Sequence, residues 1–234
     1  HHLHDTLVKN YKRSFSMTTP TQDKEEDVTS EQIVGTATSE DMTEEIPVAA
    51  HELLHNQWAL WFDNPKAAAP GSDWKENLQL CGTFDTPAKF WHIFNNVKPP
   101  SHISMQCNYH IFKQGIQPMW EDPQNEHGGK WVFTIPKSGN NRSRIDEFWL
   151  FTCLALIGET IDFTGDMVCG AVVSIRKSQD RIALWIRTNE PDIVSKIGAR
   201  WKKALNVNNK LKYQVHRDAA LTGSSYRNEV VFEV

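Results

Sequence analysis

The sequence lacks the features that define several common protein classes. No run reaches the roughly eighteen apolar residues that a transmembrane helix needs, and the mean hydropathy is −0.52. The start has no long apolar core of a secretory signal, which predicts a cytoplasmic or nuclear protein with no membrane association. The four cysteines (Cys81, Cys107, Cys153 and Cys169) form no C-x-x-C pair. We therefore expect buried, reduced thiols and no compact zinc or redox site.

Negative charge is concentrated in one segment. Residues 17–50 hold nine acids and a single base, Lys24, and no aromatic residue. Because 1–16 carry a small positive charge, the rest of the chain is mildly basic although the total is −4. A segment so polar cannot bury enough apolar surface to offset its ordering entropy. We predict an acidic, disordered tail at 1–50, with the His-rich 1–16 as a candidate non-native addition, and one domain at 51–234.

Apolar periodicity within 51–234 alternates between strand and helix. Asp85-Thr86-Pro87 is a typical helix start, and helices are predicted from Pro87, over Ile145–Ile157 and from Pro191. The predicted strands are Gln57–Phe62, Leu78–Phe84, Ile103–Phe112, Trp131–Ile135, Val168–Ile175, Ile182–Arg187, Leu211–Val215 and Glu229–Val234. Strands joined mostly by hairpins, with three helices among them, indicate an α+β domain in which helices cover one face of an antiparallel sheet.

The segment from His51 to His55 matches the H-E-x-x-H pattern of zinc peptidases. On a helix the two histidines would share one face and bind zinc. Here fewer than two turns fit between the acidic tail and the predicted strand from Gln57, and no third ligand follows at the expected spacing. We expect an ordinary segment leading into the domain, with a peptidase as the outlying alternative.

Two of the nine tryptophans are poor candidates for the core. Trp74 lies in a polar loop, and Trp120 lies between Pro118 and Pro123, which forbid a regular strand. Aromatic side chains on polar loops are good platforms for planar ligands. The pattern predicts that these two tryptophans bind a ligand, whereas most of the others pack in the core.

Charged residues near these loops restrict the class of ligand that the two tryptophans could bind. Glu121 follows Trp120 directly, and a carboxylate can accept the paired N1–H and N2–H₂ hydrogen bonds of guanine, which adenine cannot offer. Arg176, Lys177 and Arg181 surround a predicted hairpin tip and suit phosphate groups. These residues together indicate a phosphorylated, guanine-type ligand.

Several blocks in the same order carry a family resemblance. They are 58–62 (WALWF), 73–78 (DWKENL), 84–86 with 90–91 (FDT and FW), 115–122 (GIQPMWED), 128–131 (GGKW), 148–150 (FWL), 156–159 (LIGE) and 168–173 (VCGAVV). Over about 52–234 the chain resembles the eukaryotic translation initiation factor 4E family. The resemblance implies a single domain with a curved antiparallel sheet of about eight strands, backed by three helices on its convex face.

The resemblance also implies a function, the binding of the 7-methylguanosine cap of mRNA in translation initiation. It implies that Trp74 and Trp120 sandwich the methylated base, that Glu121 holds its N1 and N2, and that the Trp120 amide meets O6. Trp185 would touch the N7 methyl group, and Arg176 and Arg181 would bind the triphosphate. Such a site needs no nucleophile, general base, metal or cofactor, so we expect a binding protein and not an enzyme.

A second implied surface binds partners on the opposite side of the domain. The partners are the initiation scaffold 4G and 4E-binding repressors, which carry a Tyr-x₄-Leu-apolar helix, and the protein would be a monomer bound to its partner. The corresponding positions in this chain are Leu54, Pro87, Trp91, Leu150, Leu154 and Gly158. The chain departs from the family pattern at Glu52, Pro87 and Phe151, which leaves partner choice open. The alternative is a cap-binding paralogue that represses translation without engaging the scaffold.

Overall fold

The computed structural model describes residues 52–67, 74–137, 141–216 and 230–234. The predicted tail 1–50 and His51 lie outside these ranges. No helix in the described part of the chain is both long and apolar enough to span a membrane.

Eight strands form one sheet. They are β1 (Trp58–Asp63), β2 (Leu78–Phe84), β3 (Asn108–Lys113), β4 (Gly129–Pro136), β5 (Val168–Ser174), β6 (Gln179–Ile186), β7 (Lys212–Val215) and β8 (Val230–Glu233). Their order is β2-β1-β3-β5-β6-β4-β7-β8, and every neighbouring pair is antiparallel. The predicted α+β fold, a single curved antiparallel sheet of eight strands with three helices, is confirmed.

The three helices are α1 (Pro87–Asn96), α2 (Asn141–Ile157) and α3 (Pro191–Leu205). Helix α1 begins as predicted, because the Thr86 side chain accepts a hydrogen bond from the Lys89 amide at 3.2 Å and Pro87 needs no donor in the first turn. Short 3-10 helices lie at Pro65–Ala67, Trp74–Asn77 and Pro100–His102.

Alternation along the strands separates two apolar clusters on opposite faces of the sheet. The larger cluster joins one sheet face to the helices, and Trp131 shows how tightly they meet. Its indole Nε1 donates to the Val194 carbonyl at 2.9 Å, and a Cβ added at Gly198 would come within 2.4 Å of its ring. The smaller cluster, Phe112, Ile116, Cys169, Val172 and Trp185, lies on the other face.

Three of the four cysteines are buried as predicted, and one is exposed. All four are free thiols, and Cys107, Cys153 and Cys169 are buried as predicted. The prediction of a buried thiol is wrong for Cys81, which is exposed. The reason is that β2 is an edge strand, and most of its residues remain accessible.

Candidate functional site

A cavity of about 390 Å³ lies on the sheet face that the helices leave uncovered. Strands β1, β3, β5, β6, β4 and β7 each contribute side chains to its floor. The lining residues are Asp63, Asn108, His110, Pro118, Met119, Trp120, Lys130, Val132, Val172, Ser174, Arg176, Arg181, Ala183, Trp185, Gln214 and His216. Its size is within the usual range for a small-molecule site.

Trp185, from β6, forms an aromatic part of the floor. The Phe112 ring meets it edge-on with centroids 5.5 Å apart, and the His216 ring lies against it with centroids 4.1 Å apart. Burial, aided by the neighbouring Lys130, lowers the pKa of His216 to about 3. His216 is therefore neutral at physiological pH and serves as a flat support for the indole.

The loop between β3 and β4 holds Trp120 over this floor. Trp120 is half-buried and packs against the smaller apolar cluster. The buried Asp122 carboxylate accepts hydrogen bonds from the amides of Gln117 and Gln124, both at 2.8 Å. Two loop amides satisfied by one side chain fix the path of the backbone on both sides of Trp120.

A second side chain ties the same loop from inside. Asn125 is 0% exposed, and its Nδ2 donates to the carbonyls of Gln117 at 2.9 Å and Met119 at 2.8 Å. Neither Asp122 nor Asn125 was among the predicted site residues. Because both act through backbone groups, they anchor the loop backbone on both sides of Trp120.

Arg176 is held at the tip of the β5–β6 hairpin. Its Nη2 donates to Asn108 Oδ1 at 2.8 Å, its Nη1 to the Ile175 carbonyl at 3.0 Å, and its amide to Asp180 Oδ1 at 2.9 Å. Burial lowers the pKa of Arg176, Asp63 opposes that effect, and Arg181 adds to it. The guanidinium remains charged and adds positive potential to the cavity.

Lys130, from β4, is a cavity residue that the sequence did not reveal. It is 8% exposed, and burial together with the nearby Arg181 lowers its pKa to about 8. Within the described residues its ammonium has no carboxylate partner. A buried ammonium next to a guanidinium destabilises the folded state, because the two charges repel each other and have lost hydration. An anionic ligand bound between them would offset that cost.

The cations and the aromatic floor occupy different parts of one strand face. Arg181 and Trp185 are four residues apart on β6, which places them roughly 13 Å apart on the same face of the sheet. Such a separation suits a ligand with a planar base at one end and phosphates at the other. Elongated anionic ligands of the nucleotide type therefore fit the arrangement.

Only some of the residues predicted to bind the ligand line the cavity. Trp120, Arg176, Arg181 and Trp185 all line the cavity. Glu121 is exposed and is not part of the lining, so its role stays a prediction. The backbone of Trp74 begins the 3-10 helix before β2, but its side chain lies outside the described part of the structure.

Most residues of the predicted partner surface are buried in the domain. Leu150 and Leu154 are buried on α2, the latter with 0% exposure, and Pro87 and Leu54 are buried as well. The half-buried Trp91 and Gly158 are the accessible members of the set. Trp91 packs edge-on against the ring of Phe90, with centroids 5.0 Å apart. Of the predicted partner positions, Trp91 and Gly158 thus remain open to solvent.

Residues 52–55, the described part of the H-E-x-x-H segment, form no helix that could bring metal ligands together. Residues 52–54 are irregular, and the Leu54 amide donates to the Asp85 carbonyl at 2.7 Å. No group of three or more potential metal ligands occurs among the described residues, which exclude His51.

Comparison with known proteins places the chain. Residues 53–231 match the family described as eukaryotic initiation factor 4E. The translation initiation factor 4E-1 of Hordeum vulgare is 41% identical over 183 residues, 77% of this chain and 81% of that protein. The factor 4E-1A of Danio rerio is 43% identical over 183 residues, 76% of this chain and 83% of that protein.

Solved structures of this family have the same fold as this chain. One is C. elegans eIF4E-3 in complex with the 4E-binding protein Mextli, with a TM-score of 0.69 and 32% identity over 78% of this chain and 98% of that chain. Another is Ascaris suum eIF4E-3 with an m7G cap, with a TM-score of 0.68 and 31% identity over 78% of this chain and 97% of that chain. A sheet that matches in fold, and a sequence that matches over most of its length, give one conclusion: the chain belongs to the eukaryotic initiation factor 4E family.

Proposed function

We propose that this protein binds the 7-methylguanosine 5′ cap of mRNA and takes part in translation initiation. The cavity carries the proposal, because it combines Trp120, on a loop anchored by backbone hydrogen bonds, with an aromatic floor at Trp185 and three buried or half-buried cations. The Ascaris suum relative bound to an m7G cap supports it. The chemistry is that of a binding site, since no bond is made or broken.

Methylation at N7 gives guanine a positive charge, and two indoles can exploit that charge. In our proposal Trp74 and Trp120 sandwich the base, and Trp185 lies next to the methyl group. A cation over an aromatic face gains about 2 kcal/mol or more when it is desolvated. Stacking of an uncharged base gains roughly 1–3 kcal/mol and depends little on which base it is. The methyl preference therefore comes from charge.

Recognition of guanine itself is assigned to the residue after Trp120. The Glu121 carboxylate accepts hydrogen bonds from N1 and N2, and the Trp120 amide donates to O6. Hydrogen bonds to charged groups are worth about 1.5–3 kcal/mol. Glu121 has the exposure needed to meet a base that enters above Trp120.

The triphosphate would be bound by Arg176 and Arg181, with Lys130 as a third cation. All three line the cavity, and the first is oriented by Asn108. A phosphate that joins them would relieve the repulsion between these groups and so gain more than it would from exposed lysines.

The proposal is tested by competition between two nucleotides that differ by one methyl group. We expect 7-methyl-GTP to displace the protein from immobilised cap analogue at a concentration at least tenfold lower than GTP, because the cation–π contribution of about 2 kcal/mol is present only in the first. Isothermal titration with both nucleotides gives the ratio directly. Equal affinity for the two would contradict cap binding and leave only a general guanine nucleotide site.

Recruitment of mRNA to a scaffold is the second part of the proposal. We expect Trp91→Ala to weaken a Tyr-x₄-Leu-apolar helical peptide at least tenfold, because Trp91 offers the accessible apolar face on α1, and to leave 7-methyl-GTP affinity unchanged. Phe163→Ala is the control, an aromatic outside α1 that is 40% exposed. Peptide binding that survives Trp91→Ala would place the contact elsewhere.

A repressor that binds caps without engaging the scaffold is the alternative. The observation that favours it is the partner surface itself, where Pro87, Leu150 and Leu154 are buried and the half-buried Phe151 replaces an acidic residue. The same titration separates the two roles. A wild-type protein that binds 7-methyl-GTP but not the scaffold peptide would be the repressor.

A further inference from the structure

One wall of the cavity holds an acid that cap binding, as proposed above, does not use. Asp63, the last residue of β1, is 7% exposed and lines the cavity. Asn108 and His110 on β3 are buried beside it and line the cavity as well. A buried carboxylate on the wall of an otherwise cationic cavity calls for an explanation, because it repels the phosphates that the cations attract.

Only one of the two carboxylate oxygens of Asp63 accepts hydrogen bonds from other described residues. Oδ1 of Asp63 pairs with Asn108 Nδ2 at 2.6 Å and with His110 Nε2 at 3.1 Å. Within the described residues Oδ2 accepts no hydrogen bond, and His110 Nδ1 is buried without a partner. Oδ2 is thus an open acceptor on the cavity wall, suited to a neutral group that donates a hydrogen bond.

The strand register shows which part of a ligand reaches Asp63. Asp63 pairs with Asn108, Asn108 with Ser174 and Ser174 with Arg181, so these four residues form one row across β1, β3, β5 and β6. Neighbouring strands lie about 4.8 Å apart, so the row is roughly 14 Å long. A phosphate chain that reaches Arg181 from the base over Trp185 can continue along this row, past Arg176, toward Asp63.

The neutral donor that follows a triphosphate bridge in capped RNA is a ribose. The cap's own ribose lies between the base and the first phosphate, at the Trp120 end, whereas the ribose of the first transcribed nucleotide lies beyond the last phosphate. Carboxylates are well suited to accept hydrogen bonds from ribose hydroxyls. The 2′-hydroxyl is also the group by which proteins tell RNA from DNA.

We propose that Asp63, supported by Asn108 and His110, forms a subsite for the ribose 2′-hydroxyl of the first transcribed nucleotide, with Oδ2 as its acceptor. This inference rests on the proposed cap binding and extends it to the RNA chain. It makes the protein sensitive to 2′-O-methylation, because the methyl ether can no longer donate to the carboxylate.

Three ligands test the subsite, namely 7-methyl-GTP, the dinucleotide m7GpppG, and m7GpppG with a 2′-O-methyl group on its second nucleoside. We expect the wild-type protein to bind the unmodified dinucleotide about tenfold more tightly than the methylated one, the size of one hydrogen bond to a charged acceptor. Titration calorimetry gives each affinity. Equal affinity of wild type for the two dinucleotides would overturn the subsite, and this comparison needs no variant.

Asp63→Asn tests the assignment to Asp63. The isosteric amide keeps an acceptor for Asn108 and His110 but removes the charge, so we expect the preference for the unmodified dinucleotide to fall to near one. Affinity for 7-methyl-GTP should stay equal or rise, because a negative charge near Arg176 is lost. Asp166→Asn is the matched control, an exposed acid that pairs with Arg187 on the surface.

The remaining outcomes also decide the question. A variant that weakens all three ligands by the same factor would show that Asp63 only supports the fold of the cavity, and a variant that retains the preference would place the contact elsewhere. Either result overturns the subsite while binding of 7-methyl-GTP stands. Failure of the wild type to prefer 7-methyl-GTP over GTP would instead count against the proposed cap binding.

Discussion

Trp120→Ala is expected to lower the affinity for 7-methyl-GTP about a hundredfold or more. The substitution removes one of the two aromatic faces proposed for the cationic base, and with it about 3 kcal/mol of combined stacking and cation–π interaction. Asp122 and Asn125 hold the loop through backbone groups, so the loss of this side chain leaves the loop in place. Titration calorimetry and a thermal melt of the same sample measure both effects.

The control for this substitution is an aromatic side chain outside the cavity. Phe163 is 40% exposed and packs under the guanidinium of Arg200, 4.9 Å from its ring centroid. We expect Phe163→Ala to leave the affinity unchanged. An affinity of Trp120→Ala within threefold of wild type, in a protein that melts normally, would mean that Trp120 is not part of the base site.

Lys130→Met is expected to stabilise the free protein while it weakens binding of the triphosphate. Burial holds the pKa of Lys130 at about 8, below its ordinary value of 10.5, so at neutral pH the charged form costs about 3 kcal/mol of folding free energy. Between pH 8 and 10.5 the unfolded chain binds the proton and the folded chain does not. Stability of the wild type therefore rises with pH through this window, and the gain from the substitution shrinks toward zero. Urea unfolding at pH 7 and pH 10 measures the difference.

The same variant is expected to bind 7-methyl-GTP about tenfold more weakly, because a charge-assisted contact to phosphate is lost. Affinity for 7-methylguanosine, which has no phosphate, should not change. Lys203→Met, an exposed lysine on α3, is the control for loss of one positive charge. Unchanged stability together with unchanged affinity would show that Lys130 reaches solvent and takes no part in the site.

The sequence predicts the elements well where local chemistry marks their ends. The predicted bounds of β2 match the structure, and α3 begins at Pro191 as expected. Helix α2 starts at Asn141, four residues before the predicted Ile145, because its first turn is polar and carries no apolar signal. The extended stretch predicted from Ile103 becomes a strand only at Asn108, after a 3-10 turn and Gln106 with a φ of +78°.

For the cavity, the sequence predicts only some of the lining residues. Trp120 and the arginines stood out because they occupy loops and hairpin ends, where polar surroundings make an aromatic or basic residue conspicuous. Asp63, Lys130 and His110 occupy alternate positions within strands, where a polar residue normally indicates a solvent face. Only the tertiary structure turns that face into the wall of a cavity, and no periodicity distinguishes the two cases.

The separation of two apolar clusters by one sheet has an evolutionary consequence. Residues that touch the helices and residues that touch the cavity alternate along the same strands, so a substitution on the cavity face leaves the helix-covered core untouched. After a gene duplication, copies of such a chain can diverge on the cavity face without repacking the core between the sheet and the helices. Cavity positions such as 63, 110 and 130 are therefore the ones to compare among paralogues that differ in RNA preference.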